Sequence, residues 1–386
     1  MLDNSHVFQS PALLLDGIDG MIRGIEANLP WDLRQVRELS ERQNAIECIR
    51  QEDGRVSLIP VLKTPSMLFR GEDQEYGESR PSVFRSPMAN RDYVFNTLRV
   101  VEMQLLLLKH PMVAWFKRDY GMDLSLSPLG IAQHYGVRTP LMDFTSDPGV
   151  AMFFATCRYD PVSDSYFPKT GNDHTGILWI LIPAFASPMN RIRCYDFPIR
   201  VIGGQPFSRP ARQKGFGLFF MSPADTLQTN PGCRPYRFKY TEKDSRYYYE
   251  RYHGGESLWS KSITDAKAAQ IAGKETISKE AYEFFLNHHP NTENVPALTK
   301  EFGIPIVDDS SLFDFSAEET AQVRREYSDL SLYYRLDVPK DPSAEVSSRL
   351  ISYYLKPLRN GVEVDKISSL QRYSYFAHMD MFSLCD

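Results

Sequence analysis

Seven residues near the middle of the chain, Gly176–Ile182 (Gly-Ile-Leu-Trp-Ile-Leu-Ile), run almost without a polar interruption. The run is far short of the roughly 18 residues needed to cross a bilayer. It reads as a central strand buried on both faces, so the chain must lay structure on each side of a sheet. Neighbouring segments can supply those layers. Arg91–His110 places Val94, Leu98, Val101, Leu105 and Leu108 at threes and fours, and Pro111 ends that helix. Ser127-Pro128 starts a helix over Pro128–Tyr135, with Gly136 as its left-handed exit. Thr139–Phe144 reads as a short buried strand, and Ser146-Asp147-Pro148 opens another helix to Cys157.

Short β-type runs precede these segments at Ser57–Leu62 and Met67–Phe69, and others follow at Ile199–Ile202 and Gly217–Met221. The first fifty residues are predicted largely helical, with Pro30 starting a segment that carries Leu33, Val36, Leu39, Ile46 and Ile49. After Tyr240 the pattern turns helical again, at Thr264–Ala272, Ser278–His288, Ala317–Leu330 and Ser343–Leu355. Ser316 and Glu319 are spaced as a capping box. Strands and helices do not alternate regularly, which predicts an α+β fold. Three regions are expected: a helical extension over 1–60, a core over 61–240, and a mainly helical region over 241–386 packed on that core.

Composition narrows the function classes. Lys and Arg number 44 against 49 Asp and Glu, a net charge of −5, with pI near 6.0 and a mean hydropathy of −0.37. A whole-protein electrostatic grip on nucleic acid or an anionic membrane is disfavoured. No membrane association is expected. The opening residues are polar and mixed, unlike a secretory leader. The five cysteines are scattered without a Cys-x-x-Cys pair, which fits a reducing compartment and argues against a zinc ribbon. The expectation is a cytoplasmic protein without a metal. Glycine-rich phosphate loops, His-Glu-x-x-His and Gly-x-Ser-x-Gly are all missing from the sequence.

Three segments carry unusual chemistry. Leu68-Phe69-Arg70-Gly71 puts an arginine on an apolar strand, next to a glycine where a ligand or another chain could approach closely. Arg70 could fork a phosphate. The stretch Ala132–Ser146 gathers Gln133, His134, Tyr135, Asp143, Thr145 and Ser146 around one helix–strand–helix joint. Asp143 lies within an apolar strand and should have a partner such as Arg70 or His134. Ser146 or Asp147 can cap the next helix. The third segment, Arg209–Phe216, is a basic loop leading into a strand. With Arg191 and Arg193 it forms a cluster (Arg209, Arg212, Lys214) that could bind nucleic acid, or simply be solvated.

Together these segments resemble the FRG domain, a bacterial family named for a Phe-Arg-Gly triplet, here Phe69-Arg70-Gly71. Pro81 to Arg85 is similar to the family's Pro-x-x-x-Arg step, and Glu102 falls in the long helix as in the family. The run Gln133–Ala155 resembles its long signature, and Gln213-Lys214-Gly215 a later Gln-x-Gly element. The resemblance is firm over Leu68–Ala155 and fainter to Phe220. Glu72 replaces the glutamine that commonly follows the triplet. Pro140 stands where many members carry arginine, with Arg138 two residues earlier.

The FRG pattern in turn looks like a distant version of the ADP-ribosyltransferase arrangement, which implies such a core built on a central sheet. It also implies NAD⁺ as substrate, an unidentified macromolecular acceptor or water, and a role as a toxin or phage-defence effector. In that reading Arg70 and Gly71 hold the pyrophosphate, while His134, Tyr135, Thr145 and Ser146 contact the rest of the nucleotide. Gln213 takes the late catalytic position, and Glu72, Glu102 or Asp143 supplies the carboxylate that steadies an oxocarbenium-like centre. The alternative is a ligand-sensing or nucleic-acid-binding module without turnover.

Overall fold

A computed structural model describes residues 3–27, 46–50, 56–60, 67–85, 90–120, 123–124, 126–182, 199–202, 208–220, 222–259, 262–289, 292–309 and 311–333. The chain starts with β1 (Val7–Phe8), α1 (Pro11–Ala27), β2 (Ile46–Arg50), β3 (Val56–Pro60) and β4 (Leu68–Glu72). Then come α2 (Asn90–Leu108), α3 (Pro111–Tyr120), α4 (Pro128–His134), β5 (Leu141–Thr145) and α5 (Pro148–Thr156). The middle continues with β6 (Cys157–Asp160), β7 (Ser165–Pro168), β8 (His174–Leu181), β9 (Ile199–Val201), α6 (Ser208–Arg212), β10 (Gly215–Phe219) and β11 (Cys233–Tyr240). The last part holds α7 (Glu242–Arg251), α8 (Ile263–Gly273), β12 (Ile277–Ser278), α9 (Lys279–His288), α10 (Val295–Glu301), β13 (Ile306–Val307) and α11 (Ala317–Tyr333).

The chain mixes α and β around one seven-stranded sheet, in the order β1-β11-β8-β4-β5-β10-β9. Among the described residues, only the β1–β11 pairing of this sheet is parallel. As its apolar run requires, β8 is interior and buried on both faces. Ile177, Trp179 and Leu181 pack in one layer with Met142, Phe144, Phe216 and Leu218. Leu178 and Ile180 pack in the other, against α5 and α1. A third cluster is mainly helical and joins α2 and α4 to α8 and α9, so α8, α9 and α10 rest on α2 while α7 packs on α5.

Local chemistry sets the helices that matter here. The Ser127 hydroxyl accepts from the Gly130 amide to cap α4, and Gly136 leaves it at φ +87°, a conformation that suits glycine. Asp147, rather than Ser146, caps α5 through the Gly149 amide, with Pro148 in the first turn. The Ser316/Glu319 box closes as its spacing predicts.

One expectation fails among the described residues. Ile46 and Ile49, assigned above to a helix, lie in β2, which forms an antiparallel hairpin with β3. Both are β-branched, and a partner strand five residues on satisfies the backbone that an isolated helix would have closed internally. Pro30, Leu33, Val36, Leu39 and the proposed helix Ser343–Leu355 lie outside the described residues.

Candidate functional site

The sheet is nearly split at one point. Strands β4 and β5 are neighbours, yet only Phe69 and Thr145 are paired across them, whereas β4 pairs with β8 along its whole length. Beyond Phe69 the ladder is replaced by a side chain: Arg70 Nη1 donates to the Asp143 carbonyl at 3.2 Å. A cleft of about 460 Å³ opens over this split, with Arg70, Glu72, Arg85, His134, Asp143 and Gln213 among its lining residues.

Glu72 organises the floor. Its Oε1 accepts from Arg70 Nε at 3.1 Å, and its Oε2 accepts from Ser79 Oγ at 2.9 Å and Trp179 Nε1 at 2.8 Å. With 5% exposure and three donors, this carboxylate is occupied in holding Arg70. Of the two partners the sequence offered Asp143, Arg70 is therefore engaged by Glu72 and reaches only the Asp143 carbonyl.

Asp143 is 39% exposed at its side chain. Gln133 Nε2 donates to its Oδ2 at 3.3 Å, and Thr139 Oγ1 donates to Gln133 Oε1 at 2.5 Å. His134 Nε2 stands 4.0 Å from Asp143 Oδ1. Burial pushes the His134 imidazole below its ordinary value, with Asp143 opposing the shift and Arg209 adding to it. The Gln-His pair on α4 and the aspartate on β5 thus lie together at the cleft wall.

Two guanidiniums face the cleft without a carboxylate partner among the described residues. Arg85 is bonded through Nε to the Arg80 carbonyl; desolvation and then the Arg70 charge lower its pKa. Arg209 stacks between two rings, 5.7 Å from the Tyr135 centroid and 5.6 Å from Trp259. Trp259 continues into an aromatic wall with Tyr166 at 4.9 Å, which is in turn 5.1 Å from Tyr159. By contrast, burial pushes the Cys157 and Cys233 thiols up to about 12, so neither is a ready nucleophile at neutral pH.

Residues 65–164 match the FRG domain family model. This chain carries an FRG domain. No curated protein and no solved structure matches the chain.

The FRG triplet has a structural logic of its own. Phe69 is fully buried, Arg70 bridges the split, and Gly71 admits a helix. A Cβ at Gly71 would stand 1.8 Å from the Ala151 carbonyl oxygen and 2.7 Å from the Ala155 amide nitrogen. On the side its Cβ would occupy, the close approach at this glycine is that of α5, while the residue also lines the cleft. The alanines of the FRG signature complete this contact, and Gly176 on β8 leaves room for the same helix at the Ala155 carbonyl.

Several expected site residues lie elsewhere. Glu102 is fully buried and does not line the cleft: its Oε1 holds Lys274 Nζ at 2.6 Å and the Ser278 amide at 2.7 Å. There it ties the FRG domain's long helix to the following region. Tyr135 belongs to the helical core, and Ser146 is 1% exposed and also outside the cleft. Helix geometry explains Tyr135, since it follows the cleft-facing His134 by about 100° of rotation. Thr145 does line the cleft, but its hydroxyl donates to the Gln213 carbonyl at 2.7 Å and accepts from the Asp147 amide. Gln213 also lines it, with Nε2 donating to the Leu258 carbonyl at 3.3 Å.

In the basic segment, Arg209 is stacked, Arg212 donates to the Glu256 carbonyl, and Lys214 pairs with Asp147 at 2.8 Å. Arg191 and Arg193 lie outside the described residues. Trp259 and the tyrosines of the β6–β7 hairpin were not singled out in the sequence.

Proposed function

We propose that the cleft binds a nicotinamide dinucleotide and that the protein cleaves its glycosidic bond, passing ADP-ribose to an acceptor. The observation that carries this reading is the pair of unpaired guanidiniums, Arg85 and Arg209, flanking a half-exposed Asp143 in a cleft with an aromatic wall. Guanidiniums lacking carboxylates suit a pyrophosphate, and Arg70, whose charge is felt at Arg85, can join Arg85 there through donors that Glu72 leaves open. Tyr159 and the ring of Trp259 offer faces for a planar base. Asp143 is the carboxylate free to steady positive charge at the ribose, because Glu72 is saturated and Glu102 lies away from the cleft. Order along the chain supports the same reading: arginine on β4, threonine at the end of β5 before a helix, and Gln213 ahead of β10. Gln213 is a positioning residue in this scheme, since its amide is held by Leu258.

The cellular role that follows is an effector acting on the NAD⁺ pool or on a macromolecule of a conflict partner. Incubating the purified chain with labelled NAD⁺, alone and with cell lysate, tests it. Nicotinamide should appear, and Asp143→Asn should slow its release by at least about 10²-fold while keeping the fold. No nicotinamide with any lysate, and no thermal upshift with NAD⁺, would refute the proposal.

A further inference from the structure

Two buried polar atoms at the cleft face each other without a hydrogen bond. His134 Nε2 and Asp143 Oδ1 are 4.0 Å apart, and neither has a hydrogen-bond partner among the described residues. A buried polar atom left unsatisfied costs about 1–3 kcal/mol. Two such atoms held opposite each other at a cleft call for an explanation. A hydrogen bond needs about 2.7–3.2 Å, so the pair is roughly 1 Å too open and can share a proton only once it closes. Meanwhile Gln133, anchored by Thr139, grips Asp143 Oδ2, which keeps the carboxylate turned to both the cleft and the histidine.

We propose that Asp143 and His134 form the proton-accepting pair of the cleft, and that the ADP-ribosyl acceptor is therefore a neutral hydroxyl rather than a carboxylate. This rests on the NAD⁺-cleaving function proposed above. As the acceptor oxygen bonds to the anomeric carbon, the carbon–nitrogen bond breaks and its electron pair leaves on nicotinamide, which becomes neutral. The hydroxyl proton passes to Asp143, is shared with His134 Nε2 as the gap closes, and escapes to solvent from the exposed side of the carboxylate. A carboxylate acceptor would bring no proton, and the pair would stand idle.

The groups facing His134 are Asp143 from β5, Arg209 from α6, and Gln213 and Gly215 at the entry to β10. Burial and Arg209 disfavour imidazolium more than Asp143 favours it, so the ring is neutral at neutral pH and can share a proton. Acid protonates the ring beforehand and removes that capacity. Asp143 is the catalytic residue, and His134 is a positioning residue that acts through it.

The test compares parent, His134→Gln and Asp143→Asn chains in nicotinamide release across pH, separating free ADP-ribose from ADP-ribosylated macromolecule. The first product identifies water as the hydroxyl, and the second a macromolecular one. Both variants should lower kcat by about 10²–10⁴-fold with KM nearly unchanged, and His134→Gln should lose the parent's acid limb. Because His134 is packed against Gly215, its variant could fold poorly. The His134 ring is therefore also titrated by NMR in the parent and in Asp143→Asn, with and without ADP-ribose. Its midpoint should fall when Asp143 is neutralised and move when ADP-ribose binds.

A His134→Gln chain with parental kcat and acid limb overturns the proposal. So does a His134 titration indifferent to Asp143, or an acceptor bond found on a carboxylate. A parent that couples His134 to Asp143 but releases no nicotinamide overturns the NAD⁺ reading, and this acceptor assignment with it.

Discussion

Replacing Gly71 by alanine separates the two roles its position allows. The new Cβ would sit 1.8 Å from the Ala151 carbonyl oxygen, with the Ala151 carbonyl carbon and the Ala155 amide nitrogen also within 3 Å. An ordinary contact needs about 3.5 Å, so α5 must retreat from β4 by on the order of 1.5 Å. No rotamer can relieve the clash, because every offending atom is backbone. The retreat loosens Val150, Ala151, Met152, Phe153 and Ala155, all buried. Overpacking a core costs about 1–3 kcal/mol, and a backbone clash belongs at the upper end, about 3 kcal/mol. At roughly 2–4 °C per kcal/mol for a domain of this order, Tm should fall by about 6–12 °C in scanning calorimetry. Gly77→Ala is the control: nothing lies within 4 Å of its added Cβ, and the change should stay within about 0.5 kcal/mol. If Gly71→Ala melts with the parent and instead weakens ligand binding, the glycine faces a ligand and the packing account is wrong.

Three further outcomes follow from the same contacts. Arg70→Lys keeps a charge but cannot hold Glu72 Oε1 and the Asp143 carbonyl together. It should abolish the thermal upshift produced by NAD⁺, which is about 2.7 kcal/mol at a hundredfold excess over Kd; a full upshift would show that Arg70 is no phosphate anchor. Glu72→Gln leaves Arg70 Nε, or Ser79 Oγ and Trp179 Nε1, facing an amide NH2, destabilising by about 1–3 kcal/mol, which an unchanged urea midpoint would contradict. His110 is fully buried, and burial pushes its imidazole down to about 3. Its Nδ1 accepts from the Met112 amide, so Nε2 carries the proton and donates to Thr264 Oγ1 at 2.7 Å. The unfolded chain binds a proton below its ordinary value near 6.5 while the folded chain does not, so stability is present above that pH and lost as pH falls toward 3. The slope is on the order of 1.4 kcal/mol per pH unit; urea midpoints at pH 7 and pH 5 should differ in the parent and converge in His110→Gln.

Local grammar made much of the fold readable. The caps at Ser127 and Asp147, the left-handed turn at Gly136 and the stop at Pro111 act over three or four residues, so neighbouring letters suffice to place α2, α4 and α5. The apolar run of β8 likewise announced two buried faces. The β2–β3 hairpin was misread because Ile46 and Ile49 satisfy either period, and only a pairing partner decides between them.

At the cleft, residue types carried the candidates as far as Arg70, His134, Asp143, Thr145 and Gln213, all of which line it. What each one touches was decided by segments far away in the chain. Glu72 became the partner of Arg70 because Trp179 and Ser79 converge on it. Gly71 became a helix seat because Ala151 arrives across it. Glu102 was drawn from the cleft by Lys274 and Ser278, and Trp259 closed a wall for Arg209 from outside the matched domain. A sequence sets the propensities and charges of single residues. A carboxylate's partner and a glycine's neighbour are set by packing between segments up to about two hundred residues apart, where no local spacing records the encounter.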